Sequence, residues 1–263
     1  MTTMTAKLRS ALGRALVFAL IAAPSLARRA EAAFVVFPGA QAATEGSGNN
    51  LFPFGLGDDV GEVPSGTQRY QQIYAASGFA GLAPGGEYIT QIAFRPDASL
   101  GHAFSSTLPG IRIDLSTTGA GVDALSSTFA SNIGANDTIV YGGASGSPLF
   151  LSSLFTGPAS GPKDFDIIIT LTTPFFYNPA AGNLLLDVRN FGGGRTAIFD
   201  AQEIGGDSIS RAFTMPSGVG SSTADGTDTL GLVTRFTTAV PEPASITLLA
   251  VGLLALTRLP RRS

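Results

Sequence analysis

The sequence predicts an all-β fold, an antiparallel β-sandwich of jelly-roll-like character, and three observations carry that expectation. Short runs rich in β-branched and aromatic residues recur along the chain, several alternating apolar with polar. Clusters of Gly, Pro, Asn, Ser and Asp separate them and supply the backbone angles that end ladders. Between the two ends, no stretch of about ten or more residues carries a helical apolar face.

In chain order, residues 1–32 read as a leader. Lys7, Arg9 and Arg14 precede the apolar run 15–23, which Pro24 breaks, and small-x-small sites follow at Ser25-Leu26-Ala27 and Ala30-Glu31-Ala32. The run falls short of the roughly 20 apolar residues that a hydrocarbon core of about 30 Å requires. It therefore reads as a secretory signal peptide, cut after Ala27 or Ala32. Arg28-Arg29 follow the run rather than precede it, so this is not a twin-arginine signal.

The body, 33–239, is of ordinary single-domain size. Of the 16 basic residues eight lie in the two ends, and of the 19 acidic residues only Glu31 and Glu242 do, so the body carries a formal charge of −9. Such a surface repels phosphate backbones, which excludes nucleic acid as an expected partner. The chain has no cysteine, although an exported protein meets an oxidising space where disulfides form. The fold is then expected to rest on its core, without thiolate chemistry or a lipidated cysteine.

Within the body, 39–57 reads as an extended arm. The expected strands are 69–75, 88–94, 111–116, 138–142, 165–171, 184–190, 196–200 and 231–238. The run "FDIIITL" at 165–171 is apolar on both faces and is expected at the centre of a sheet, with Phe175-Phe176-Tyr177 plugging one end of the core. The Ser, Thr and Gly-rich stretch 216–229 is the expected mobile loop, and no internal repeat points to a solenoid or propeller.

No catalytic set assembles from these residues. His102 is the sole histidine, no Gly-x-Ser-x-Gly elbow accompanies it, and a multi-histidine metal site is excluded. It is expected as a solvated loop residue. Paired carboxylates of the kind a glycosidase uses across a sugar have candidates in Asp58-Asp59-Glu62, in Asp164 with Asp166, and in Asp200 with Glu203. Their abundance argues for solvated acids instead. Oxygen-rich turns at 224–231, with Asp225 and Asp228, and at 203–208, with Glu203, offer calcium-type ligands but match no EF-hand or nonapeptide spacing. No cofactor and no metal are expected. The chain lacks Trp, and Tyr70, Tyr74, Tyr88, Tyr141 and Tyr177 lie in or beside expected strands, where packing accounts for them before sugar stacking does.

The last segment, 240–263, has a different character. Residues 244–257 are uncharged and would reach about 21 Å as a helix, spanning a membrane only with snorkelling flanks or local thinning. Arg258, Arg261 and Arg262 follow and act as a cytoplasmic stop-transfer cluster by the positive-inside rule, which puts the body outside. Before the run stand Pro241, Glu242 and Pro243, in which fixed φ angles and missing amide donors present an extended segment with one carboxylate.

The order "VPEPAS", apolar helix, arginine-rich end resembles the PEP-CTERM sorting signal of bacterial exported proteins. "RYQQIYAASGF" and "NPAAGNLLLDVRNFGGG" are similar to stretches in other proteins bearing that tail. The resemblance implies an exosortase-type membrane protease as partner, recognition at Pro241, Glu242 and Pro243, and transient inner-membrane anchoring by the 244–257 helix. Delivery to the cell surface or the extracellular space would follow, in organisms that make exopolysaccharide. The resulting expectation is a non-enzymatic surface or matrix protein with a structural, adhesive or exopolysaccharide-associated role. The alternatives are a secreted hydrolase of matrix polysaccharide using Asp164 or Asp166, and a membrane-anchored carbohydrate-binding module.

Overall fold

A computed structural model describes residues 33–55, 66–216 and 218–240, and its regular structure is strand, with 3-10 turns of three or four residues besides. The expected signal peptide, the acids Asp58, Asp59 and Glu62, the residues Pro241–Pro243, the expected span 244–257 and Arg258, Arg261 and Arg262 lie outside the described residues. Among those described, no helix is long and apolar enough to cross a membrane.

The strands are β1 (Ala33–Phe37), β2 (Gly48–Asn50), β3 (Gln68–Tyr74), β4 (Glu87–Phe94), β5 (Phe104–Thr118), β6 (Thr138–Tyr141) and β7 (Ser147–Ser153). They continue with β8 (Ile167–Tyr177), β9 (Asn183–Asn190), β10 (Phe199–Glu203), β11 (Ile209–Phe213), β12 (Gly226–Asp228), β13 (Leu230–Leu232) and β14 (Thr234–Ala239). All pair antiparallel. One sheet has the order β1-β14-β4-β8, a larger one β12-β11-β3-β9-β5-β6 with β7 also on β5, and a short one β13-β10-β2. Successive strands switch sheets, as from β3 to β4 to β5 and from β8 to β9, so one core is shared between layers.

That core lies between the first two sheets. Ile89, Ile92 and Phe94 of β4, Ile167, Ile169 and Leu171 of β8 and Phe236 of β14 meet Tyr74 of β3, Ile113 and Leu115 of β5, and Leu184, Leu186 and Val188 of β9. Phe37 closes one side, with ring centroids 4.5 Å from Phe79, 5.4 Å from Tyr74 and 6.1 Å from Phe236. A second, smaller cluster forms on the far face of the larger sheet, where Ile73, Leu185 and Ala212 are covered by Leu125 and Phe129 from the β5–β6 connection.

The expected central strand at 165–171 is corrected by this arrangement. β8 is the edge of its sheet and pairs only with β4. Its isoleucines divide by period 2: Ile167 and Ile169 face the core while Ile168 is 44% exposed. The central, doubly covered strand is β9, between β3 and β5, although Asp187 and Arg189 make it read as half-solvated. Those charges lie under the β5–β6 connection. Phe175 and Tyr177 are buried as expected, but they extend β8, and Phe176 points outward against Tyr88.

Two other expectations change. The run 231–238 divides at Val233, so that β13 joins β10 and β14 joins β4. The described part of the expected arm, 39–55, folds back as a 3-10 turn at Gly39–Ala42 and the strand β2, which pairs with β10 and carries Glu45 and Gly46 toward Asp200. In the 216–229 stretch β12 pairs with β11, and Thr223 bridges Thr128.

Candidate functional site

Three segments far apart in sequence meet where β4 ends and β10 begins. Arg95 follows Phe94, the last residue of β4, with its side chain 1% exposed, and reaches Asp200 of β10, whose side chain is fully buried. Arg95 Nε donates to Asp200 Oδ2 at 2.7 Å, Nη2 lies 2.6 Å from the same oxygen, and Nη2 donates to the Thr44 carbonyl at 2.6 Å. The other Asp200 oxygen accepts the Gly46 amide at 2.9 Å. Gly46 is required there because a Cβ would run into the Ala201 carbonyl and Asp200 itself.

Asp97 and Glu45 complete the cluster. Asp97 Oδ1 accepts the amides of Ser99 and Leu100 and the Ser99 hydroxyl, while Glu45 Oε1 accepts the Ala98 amide. Glu45 Oε2 is buried without a hydrogen-bond partner. One oxygen from each of Glu45, Asp97 and Asp200 lies within 4.8 Å of the others. Three carboxylates therefore lie together with only Asp200 paired to Arg95, and burial, opposed by Arg95 and reinforced by Glu45, pushes the Asp200 carboxyl up to about 6. Chemically this is an oxygen donor set of the kind hard cations take.

On its other side Arg95 forms the wall of a cavity of about 530 Å³. The 3-10 turn contributes Ala42, the segment before β8 contributes Pro158, Pro162 and Lys163, and β14 contributes Arg235. Phe165 sits between two cations, its ring centre 4.9 Å from Arg95 Cζ and 5.2 Å from Arg235 Cζ. Arg235 Nη2 donates to the Phe165 carbonyl at 3.0 Å, and Nε is buried without an acceptor.

A second polar network lies on the far face of the larger sheet, and it is fully paired where it is deepest. Asp187 receives Arg69 through both oxygens, at 3.2 and 2.6 Å, and Gln71 at 2.8 Å. Asn132 donates to Gln71 Oε1 at 2.9 Å, and Arg112 forks onto Asp114 at 2.7 and 2.6 Å. This network pins the β5–β6 connection to β3 and β9.

The residues singled out from sequence are mostly kept apart. Asp164 and Asp166 both precede β8; Asp164 Oδ2 accepts the Thr156 hydroxyl at 3.0 Å and Asp166 Oδ2 the Leu154 amide at 2.7 Å. Asp200 is buried whereas Glu203 is exposed. Asp228 is held by the Arg211 fork at 2.7 and 2.9 Å, Asp225 by the Met215 amide and Asp207 by the Ile209 amide, so neither calcium-type turn gathers its carboxylates. His102 is half-buried in the β4–β5 loop with Nδ1 2.9 Å from the Ala103 carbonyl. Arg95, Asp97, Glu45 and Arg235 were missed. The only local signal was a charged pair flanking Pro96 at a strand end, since the convergence depends on the β2–β10 pairing.

Comparison with known protein families shows that the family model for the PEP-CTERM protein-sorting motif matches residues 239–262. That span contains Pro241, Glu242, Pro243, Arg258, Arg261 and Arg262. No curated protein and no solved structure matches the chain.

Proposed function

We propose that this chain, an exported exosortase substrate by virtue of its PEP-CTERM motif, works without catalysis at the cell surface or in the extracellular matrix. Its role there is structural or adhesive and associated with exopolysaccharide. The motif at 239–262 is the observation that carries this reading, because it implies passage across a membrane and contact with exosortase. The non-catalytic part is supported by the body's carboxylates, which are engaged by arginines, backbone amides or hydroxyls at Asp114, Asp187, Asp200, Asp228, Asp164 and Asp166. A carboxylate that fixes a loop is poorly placed to exchange protons with a substrate.

Intact-mass analysis of protein recovered from the surface and medium of the native host tests the sorting. The expected mass lacks the leader and everything after about Pro243; a mass retaining Ser263 overturns processing. Titration with the host's matrix polysaccharide tests the role, with saturable binding and no product expected. Product formation that disappears in Asp164→Asn or Asp166→Asn would replace this reading with a secreted hydrolase.

A further inference from the structure

Resting on the reading of the body as a polysaccharide partner, we infer that the cavity beside β14 binds the carboxylate of an acidic saccharide, a uronic acid unit, through Arg235 and Lys163. Arg69, Arg95, Arg112, Arg189 and Arg211 each face an aspartate. Among the described residues Arg235 and Lys163 have no carboxylate within ion-pair distance, although acids outnumber bases 17 to 8 in the body and Asp164 lines the same cavity. Both cations line that cavity.

The donors are also left over. Lys163 Nζ donates to the Pro158 carbonyl at 2.9 Å and lies 4.8 Å from the centre of the Phe155 ring, which leaves protons for another partner. Arg235 spends Nη2 on the Phe165 carbonyl, while Nε and Nη1 find no acceptor among the described residues. A planar guanidinium with free donors beside an ammonium is the arrangement that recognises a carboxylate. Burial lowers the Arg235 pKa, and the sole charge opposing that is Asp164, already held by Thr156. A bound anion would supply the compensation that the protein withholds.

Apart from Asp164, whose Oδ2 is turned to the Thr156 hydroxyl, the remaining lining fits a sugar ring. Pro158, Pro162, Ala42 and Ala43 offer apolar surface to C–H faces, and Ser160 offers a hydroxyl. The volume of about 530 Å³ is within the roughly 300–1,000 Å³ of small-ligand sites. Arg95 stays committed to Asp200 and the Thr44 carbonyl and serves as wall.

The test is calorimetric titration of the full chain with a short oligogalacturonate, with a neutral oligosaccharide of equal length, and with acetate. Saturable binding of the oligogalacturonate is expected, weakened about tenfold or more in Arg235→Gln and in Lys163→Gln. Lys163 sits on a loop, so that variant stays informative if Arg235→Gln fails to fold. Unchanged affinity in Lys163→Gln together with a folded, fully binding Arg235→Gln overturns the site. Acetate binding as tightly as the oligomer overturns the saccharide. Binding of the host polysaccharide with none of oligogalacturonate overturns this inference and leaves the proposed function standing, whereas binding of no polysaccharide overturns both.

Discussion

At Asp207 burial, ahead of any neighbouring charge, governs the titration: it pushes the carboxyl up to about 6, the Ile209 amide works against the shift, and Asp123 adds to it. A carboxyl whose folded pKa exceeds its unfolded value binds its proton more tightly in the native state. The stability this contributes is present below about pH 4 and is lost as pH rises through 6. Asp207→Asn keeps an acceptor for the Ile209 amide and removes the buried charge. It should raise the melting temperature at pH 7 by about 1–2 °C and leave it unchanged at pH 4. Asp200 titrates in the same direction in both proteins, so the difference between them, followed by thermal melts across pH 4–7, is the quantity to measure. At Asp187 a larger effect is expected: Asp187→Ala strands Arg69 and Gln71 in a buried network and should cost about 3–5 kcal/mol in urea unfolding. Neither environment was legible in the sequence. "RYQQIYA" alternates as a strand with one polar face should, yet Gln68, Arg69, Gln71 and Gln72 are all buried. Their partners, Phe129, Asn132, Leu232 and Thr214, come from segments 58 to 160 residues away.

Among the elements, β3, β4 and β9 appear within a residue or so of where alternation puts them, because their apolar positions repeat at the period of the pleat. β8 shows the limit of that signal. An unbroken apolar run satisfies a strand covered on two faces, but it equally satisfies an edge strand with one isoleucine exposed, and only pairing partners decide between them. Ile168→Thr is therefore expected to change unfolding free energy by less than about 0.5 kcal/mol. Ile169→Ala, on the core side, should cost about 2–4 kcal/mol. Equal losses at the two positions in chemical denaturation would return β8 to the interior. The front of β5 and all of β7 went unread for a related reason. "FSSTLPG" and "SPLFLSS" carry the Pro, Gly and Ser of turns, and their strand character comes from pairing with each other through Leu108 and Leu149. The cluster of Glu45, Asp97 and Asp200 is a product of the same long-range pairing, since β2 and β10 bring the arm to the strand.

For the molecule as a whole, the pairing of β1 with β14 sets Ala33 beside Thr238, so the two ends of the body leave from the same end of one sheet. β14 also stands between β1 and β4, and Phe236 fills the core from it. A chain ending at residue 233 should fail to protect its first sheet from proteolysis, and a protease-resistant fragment of unchanged size would contradict that. The same arrangement governs timing. A chain threaded across a membrane from its N-terminus delivers β1 first and β14 last, so the first strand waits beside a vacancy for some two hundred residues. The sandwich closes only when residue 239 has crossed, and Pro241, Glu242 and Pro243 come next in the queue. For a chain exported in that order, completion of the fold and emergence of the matched motif are thus consecutive events, with one residue between the last strand and Pro241.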